Sequence, residues 1–165
     1  MNILSNNNTN NDTIYENIVC PPNIMIKSKN NNYSIISQKK FNKGDIIFEN
    51  TSIIFDSSKI NKIYLYFEDS YNFYHTIALN LIFHTVNRGD NNREYYGFDT
   101  FTNHSCNPNT MVIQVNNNYY KSIALCDINI GDELTQDYYT FDSLFDGSEF
   151  ICNCGYEYCR KIIKG

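Results

Sequence analysis

Asn103-His104-Ser105-Cys106-Asn107-Pro108-Asn109 is the stretch on which the reading of this chain turns. It follows Phe101 and gathers amide, imidazole, hydroxyl and thiol groups within a few residues. Pro108 fixes its own φ and closes the segment as a turn. A run this rich in reactive groups, set between apolar segments, marks a site rather than a core element. Two chemistries are open from the residues alone. Cys106 and His104 could form a nucleophile and its base, although residues so close in sequence rarely face one another. Alternatively, Cys106 contributes a thiolate to a metal site.

Two further stretches lie towards the C-terminus. Gly131-Asp132-Glu133-Leu134-Thr135-Gln136-Asp137-Tyr138 reads as a turn running into a short segment that ends on a tyrosine. Beyond it, Cys152-Asn153-Cys154 and Cys159 place three thiols within eight residues. Zinc prefers tetrahedral thiolate sites, and a closed structural site takes four ligands, so a fourth must come from elsewhere. Cys20, Cys106 and Cys126 are the candidates, and spacing does not choose among them. No basic start or apolar stretch opens the chain, so a reducing, intracellular setting is expected, where clustered cysteines more often bind metal than pair as disulfides.

The remaining sequence supplies the scaffold. With 165 residues, 42% hydrophobic and 19% charged, the chain has the length and composition of one globular domain. No apolar run reaches the roughly 20 residues that span a membrane. Eighteen acidic against thirteen basic residues give a net charge of -5. That balance argues against direct nucleic-acid binding and suits a basic peptide partner. Residues 1–18 read as a flexible, asparagine-rich tail. Short apolar runs at 24–27 and 33–37 flank Asn30-Asn31-Asn32 as a hairpin, and runs at 111–115 and 119–126 flank Asn116-Asn117-Asn118 as another. Residues 45–49 and 52–55 add two strands. Between 67 and 86 the apolar spacing shifts to three or four, through Phe67, Tyr71, Tyr74, Ala78, Leu81 and Thr85, which predicts a helix. His75 and His84 lie near it, neither at metal-ligand spacing from another such residue, and neither is assigned a role. The expected class is therefore mainly β with one helical insert.

Taken together and in order, Asn103-His104-Ser105-Cys106, the Glu133-Leu134-Thr135-Gln136-Asp137-Tyr138 segment and the Cys-x-Cys-x4-Cys tail resemble the SET-domain protein lysine methyltransferases. The likeness covers roughly residues 24–160. It implies several small curled sheets with a knot-like C-terminal core, a SET domain at 19–142 with a helical insert at about 57–98, and a zinc-binding post-SET segment at 147–165. It also implies transfer of a methyl group from S-adenosylmethionine to a protein lysine, with a histone as one substrate, and one structural zinc ion. By the same resemblance Asn103 and His104 contact the cofactor, and Tyr138 is the catalytic tyrosine that also borders it. Cys106 completes the zinc set with Cys152, Cys154 and Cys159, while Tyr95 and Tyr96 line the peptide groove. The family's early Gly-x-Gly pattern aligns with Asn32, Tyr33 and Ser34, which places those residues at the cofactor too. Gln136 stands at the lysine channel where the family usually has Phe or Tyr, and Thr100 stands where an arginine is common. These departures frame the alternative, a SET module that binds peptide or cofactor without efficient turnover.

Overall fold

The computed structural model describes residues 12–30, 32–68, 74–79, 81, 84–140 and 149–164. Its first strands are β1 (Thr13–Asn17), β2 (Ile24–Lys29), β3 (Asn32–Ser37), β4 (Ile46–Thr51) and β5 (Ile53–Asp56). The middle of the chain carries β6 (Lys62–Glu68), β7 (Tyr74–Ala78), β8 (Val86–Gly89) and β9 (Asn92–Tyr95), followed by a short 3-10 turn at Gly97–Phe101. The site-bearing part holds β10 (Asn103–His104), β11 (Thr110–Asn116), β12 (Tyr119–Ala124) and β13 (Glu133–Gln136), and the tail adds β14 (Glu149–Ile151) and β15 (Ile162–Lys164). They form several small sheets, as the resemblance implies.

Both expected hairpins are present. In the first, β2 and β3 pair antiparallel from Ile24 opposite Ser37 to Lys29 opposite Asn32. Asn30 takes a positive φ of 52° at the reversal, a conformation asparagine tolerates better than most residues. In the second, β11 pairs with β12, and β12 pairs in turn with β4.

The decisive sheet has the order β10-β13-β3-β2. β13 lies antiparallel to β3, with Leu134 opposite Ile35, and parallel to β10, with Asn103 opposite Thr135 and His104 opposite Gln136. Leu134 and Ile35 are completely buried, so their burial locks β13 in register and aims the next residues at the 103–109 segment. Phe41, Phe101, Ile24 and Ile128 extend the same core.

The insert departs from expectation. Among the described residues of 67–86 there is no helix: β6 and β7 form an antiparallel pair, and β1 joins the other edge of β6 in parallel. Ile63, Leu65 and Phe67 are buried at alternate positions, which is a period of two. The supposed helical stripe fails because Tyr74 is 84% exposed while Phe67 is buried. The segment is rich in aromatic and β-branched residues, which suit strands, and three-to-four spacing among them arose alongside the alternation. Tyr71 lies outside the described residues. β1 also shortens the expected tail, because Ile14 and Ile18 pack on the core; residues 1–11 lie outside the described part. Among the described residues no helix is long and apolar enough to cross a membrane.

Candidate functional site

Construction of the site begins at Gly97, whose φ of 59° lets the chain turn tightly under β4. A Cβ at this position would meet Asn50 Oδ1 at 2.8 Å, so a larger residue would displace that side chain. Asn50 Nδ2 donates to the Asp99 carboxylate at 2.8 Å, which pins the 3-10 turn from inside. Burial pushes the Asp99 acid up to about 7. The chain leaves this turn in extended form at Thr102 and enters the polar segment.

Asn103 spans two elements. Its Nδ2 donates to the Tyr33 carbonyl at 2.9 Å and to Glu133 Oε1 at 2.7 Å, tying β3 to β13. His104 lies beside Tyr138, with ring centroids 5.2 Å apart, and beside Phe150 at 5.8 Å. The His104 Nδ1 accepts the Tyr138 backbone N–H at 3.2 Å, so that nitrogen carries no proton and the proton belongs on Nε2. The 3.7 Å approach of Asp137 to the same nitrogen is therefore not an ion pair. Burial also lowers the His104 pKa, which agrees with a neutral ring at pH 7.

Tyr138 donates its hydroxyl to the Thr102 carbonyl at 2.9 Å. Burial, with a smaller contribution from Glu133, pushes this phenol up to about 12. It stays protonated at neutral pH and acts as a hydrogen-bond donor, not as a ready-made base. Asn103, His104, Glu133, Thr135, Tyr138 and Phe150 are among the residues that line one cavity of about 440 Å³. Asn109 holds the β13 wall in place, with its Oδ1 accepting Thr135 N–H at 2.8 Å and its Nδ2 donating to the Glu133 carbonyl at 2.8 Å.

Cys152 and Cys154 line the same cavity. With Cys106 and Cys159 they bring four Sγ atoms within 4.8 Å of one another. Cys106 Sγ lies 3.9 Å from Cys152 Sγ and 4.0 Å from Cys159 Sγ. A tetrahedron with zinc–sulfur bonds near 2.3 Å has sulfur–sulfur edges of about 3.8 Å, so this donor set fits such an ion. Backbone N–H groups of Arg160 and Lys161 point at Cys106 Sγ (3.5 Å) and Cys159 Sγ (3.4 Å), supporting thiolate charge. Cys106 Sγ also lies 3.4 Å from His104 Nε2. Because Nδ1 accepts from Tyr138, Nε2 carries the proton and donates to the sulfur, so His104 supports a sulfur cluster and does not serve Cys106 as a base.

Residues 32–139 match the SET domain family model. This chain belongs to the SET-domain family. It is 31% identical over 145 residues to the mouse histone-lysine N-methyltransferase NSD3, covering 84% of this chain and 10% of that protein. The chain thus spans about a tenth of the length of the curated relative it matches. Among solved structures, KRYPTONITE in complex with mCHH DNA, H3(1-15) peptide and SAH superposes with a TM-score of 0.51 at 22% identity, over 86% of this chain and 29% of that one. KRYPTONITE with mCHG DNA and SAH gives 0.50 at 20% identity, over 82% and 27%.

Within the SET domain the other sequence-predicted residues fall into three groups. Asn32, Tyr33 and Ser34 run as regular strand with no positive φ, so the backbone here does not depend on glycine. Their link to the cavity runs through the Tyr33 carbonyl on Asn103, while the Tyr33 ring packs on Phe101 and His84. Gln136 is 6% exposed; its Nε2 donates to the Asp99 carbonyl at 3.4 Å, and its Oε1 has no partner among the described residues. Tyr95 and Tyr96 correct the sequence expectation. Neither lines the 440 Å³ cavity. Tyr95 is 1% exposed inside the core, and Tyr96 packs edge-on against Tyr120 with its hydroxyl on Glu94 at 2.7 Å. Large apolar rings preceding a buried turn were drawn into the core by the area they cover.

Three contributors escaped the sequence reading. Glu133, Asn109 and Arg160 all make contacts across twenty or more residues of chain. Asn109 and Glu133 stand inside the quoted motifs without an assigned role, and the only sequence signal of Arg160 is that it follows Cys159.

Proposed function

We propose that this SET domain transfers a methyl group from S-adenosylmethionine to the side-chain nitrogen of a protein lysine, with histone lysine as the substrate class. The observation that carries the reading is the convergence of Asn103, His104 and Tyr138 on one cavity. The relative named as a histone-lysine methyltransferase and the SET structure holding an H3 peptide and SAH support it.

When bound, S-adenosylmethionine supplies a methyl group activated on a sulfonium. The protein's part is positional. Asn103, held by two acceptors, and His104, held in one tautomer, form the wall against which the cofactor lies. The Tyr138 hydroxyl, fixed by Thr102 and protonated, orients the attacking amine. A free lysine amine has a pKa near 10.4, so the site must favour its neutral form. Removal of water and proximity to a cation both do this. Holding nucleophile and methyl in line contributes several kcal/mol, up to about 10. Cys106, Cys152, Cys154 and Cys159 would hold one zinc ion as a closed, structural centre.

The test is transfer of a radiolabelled methyl group from S-adenosylmethionine to mixed histones. Label on histone lysine supports the reading. Tight cofactor binding with no label on any histone favours the alternative, a binding module without efficient turnover.

A further inference from the structure

Glu133 stands out among the residues that line the cavity. The lining carries its carboxylate and, among the described residues, no lysine or arginine. The cavity is therefore anionic. Glu133 Oε1 accepts from Asn103 at 2.7 Å, which fixes the carboxylate beside an expected cofactor contact. Tyr138, expected at the reacting centre, lines the same cavity.

We infer that Glu133 selects the cationic methyl donor over its neutral thioether product. This inference rests on the methyltransferase reading and specifies how that site distinguishes two ligands of nearly equal shape. During transfer the carbon–sulfur bond breaks and its electron pair stays on sulfur. A carbon–nitrogen bond forms from the amine lone pair, and the positive charge passes from sulfur to nitrogen. The donor is thus attracted by Glu133 before transfer, and the product is not attracted after it. An unbalanced carboxylate in a cavity without basic side chains strengthens binding of the one and helps release the other.

Glu133→Gln removes the charge and keeps an oxygen acceptor for Asn103. Isothermal titration of wild type and variant with S-adenosylmethionine and with S-adenosylhomocysteine reads the effect without turnover. A single charge in a part-exposed cavity is worth roughly tenfold in affinity. The variant should lose about that factor for S-adenosylmethionine and change less than about twofold for S-adenosylhomocysteine. Salt gives a second measure that needs no variant: raising it should narrow the wild-type gap between the two ligands, because exposed charges are screened. Equal losses for both ligands, no loss for either, or a gap insensitive to salt would overturn the role of Glu133 alone. A wild-type protein that binds neither ligand would overturn the cofactor reading and this inference with it.

Discussion

Arg160 Nη2 donates to Asp137 Oδ1 at 2.5 Å, joining the cysteine tail to the residue immediately before Tyr138. The same guanidinium lies 4.4 Å from the Tyr139 ring centroid, and the Arg160 backbone N–H approaches Cys106 Sγ. One residue therefore touches the sulfur cluster and both neighbours of Tyr138. Arg160→Ala should lower turnover about tenfold, since misplacement by even 1 Å at a reacting centre is costly. The pair is part-exposed, so the melting temperature should move little, in keeping with a contribution of about 1 kcal/mol or less. Metal content should stay at the wild-type value. Steady-state kinetics beside elemental analysis checks this, and loss of metal together with activity would place Arg160 in the metal site instead.

One zinc per chain is expected on Cys106, Cys152, Cys154 and Cys159. Cys106→Ser should lose metal and activity together, because an incomplete thiolate set closes poorly around the ion. Cys126→Ser should keep both, since Cys126 is exposed and apart from the cluster. Elemental analysis of the two variants decides; full occupancy in Cys106→Ser would contradict the four-ligand site.

Asp99 yields a pH prediction. Its folded pKa of about 7 lies above the ordinary 3.8, so folding favours the protonated acid. That contribution is complete below pH 3.8 and is lost as the pH rises towards 7. Asp99→Asn removes the penalty of burying a charge while leaving an acceptor for Asn50. The variant should therefore be stabilised relative to wild type more at pH 8 than at pH 5, by about 1–3 kcal/mol. Thermal melts at the two pH values measure this, and a pH-independent difference would contradict it.

Gln136 is buried, its amide oxygen has no partner among the described residues, and it lies two positions before Tyr138. An amide can hold a water and still leave more room than an aromatic ring. Gln136→Tyr should shift products towards monomethyl-lysine relative to the parent. Mass spectrometry of a methylated peptide over time checks the direction; an unchanged distribution with activity preserved would remove Gln136 from the lysine channel.

Much of this arrangement is legible in the sequence, for identifiable reasons. The hairpins show because β2–β3 and β11–β12 each pair residues close in sequence around asparagine turns. The sulfur cluster shows because three of its members lie within eight residues, whereas only the family resemblance singles out Cys106 from Cys20 and Cys126 as the fourth. The insert misled because Phe67 and Tyr74 satisfy helical spacing while Ile63, Leu65 and Phe67 satisfy strand alternation, and pairing with β1 and β7 decides between them. Glu133, Asn109 and Arg160 acquire their roles from partners 30, 26 and 23 residues away. No local pattern announces such contacts.

The most direct test of the central claim compares wild type with Tyr138→Phe, scoring lysine methylation on histones by mass spectrometry with cofactor affinity measured on the same samples. Removing the hydroxyl deletes one hydrogen bond to Thr102, worth about 1 kcal/mol to the fold, and leaves the ring in contact with His104. The account predicts methylated lysine with wild type. With Tyr138→Phe it predicts methylation reduced by about a hundredfold or more at nearly unchanged cofactor affinity. Methylation by Tyr138→Phe at the wild-type rate under saturating substrate would contradict it.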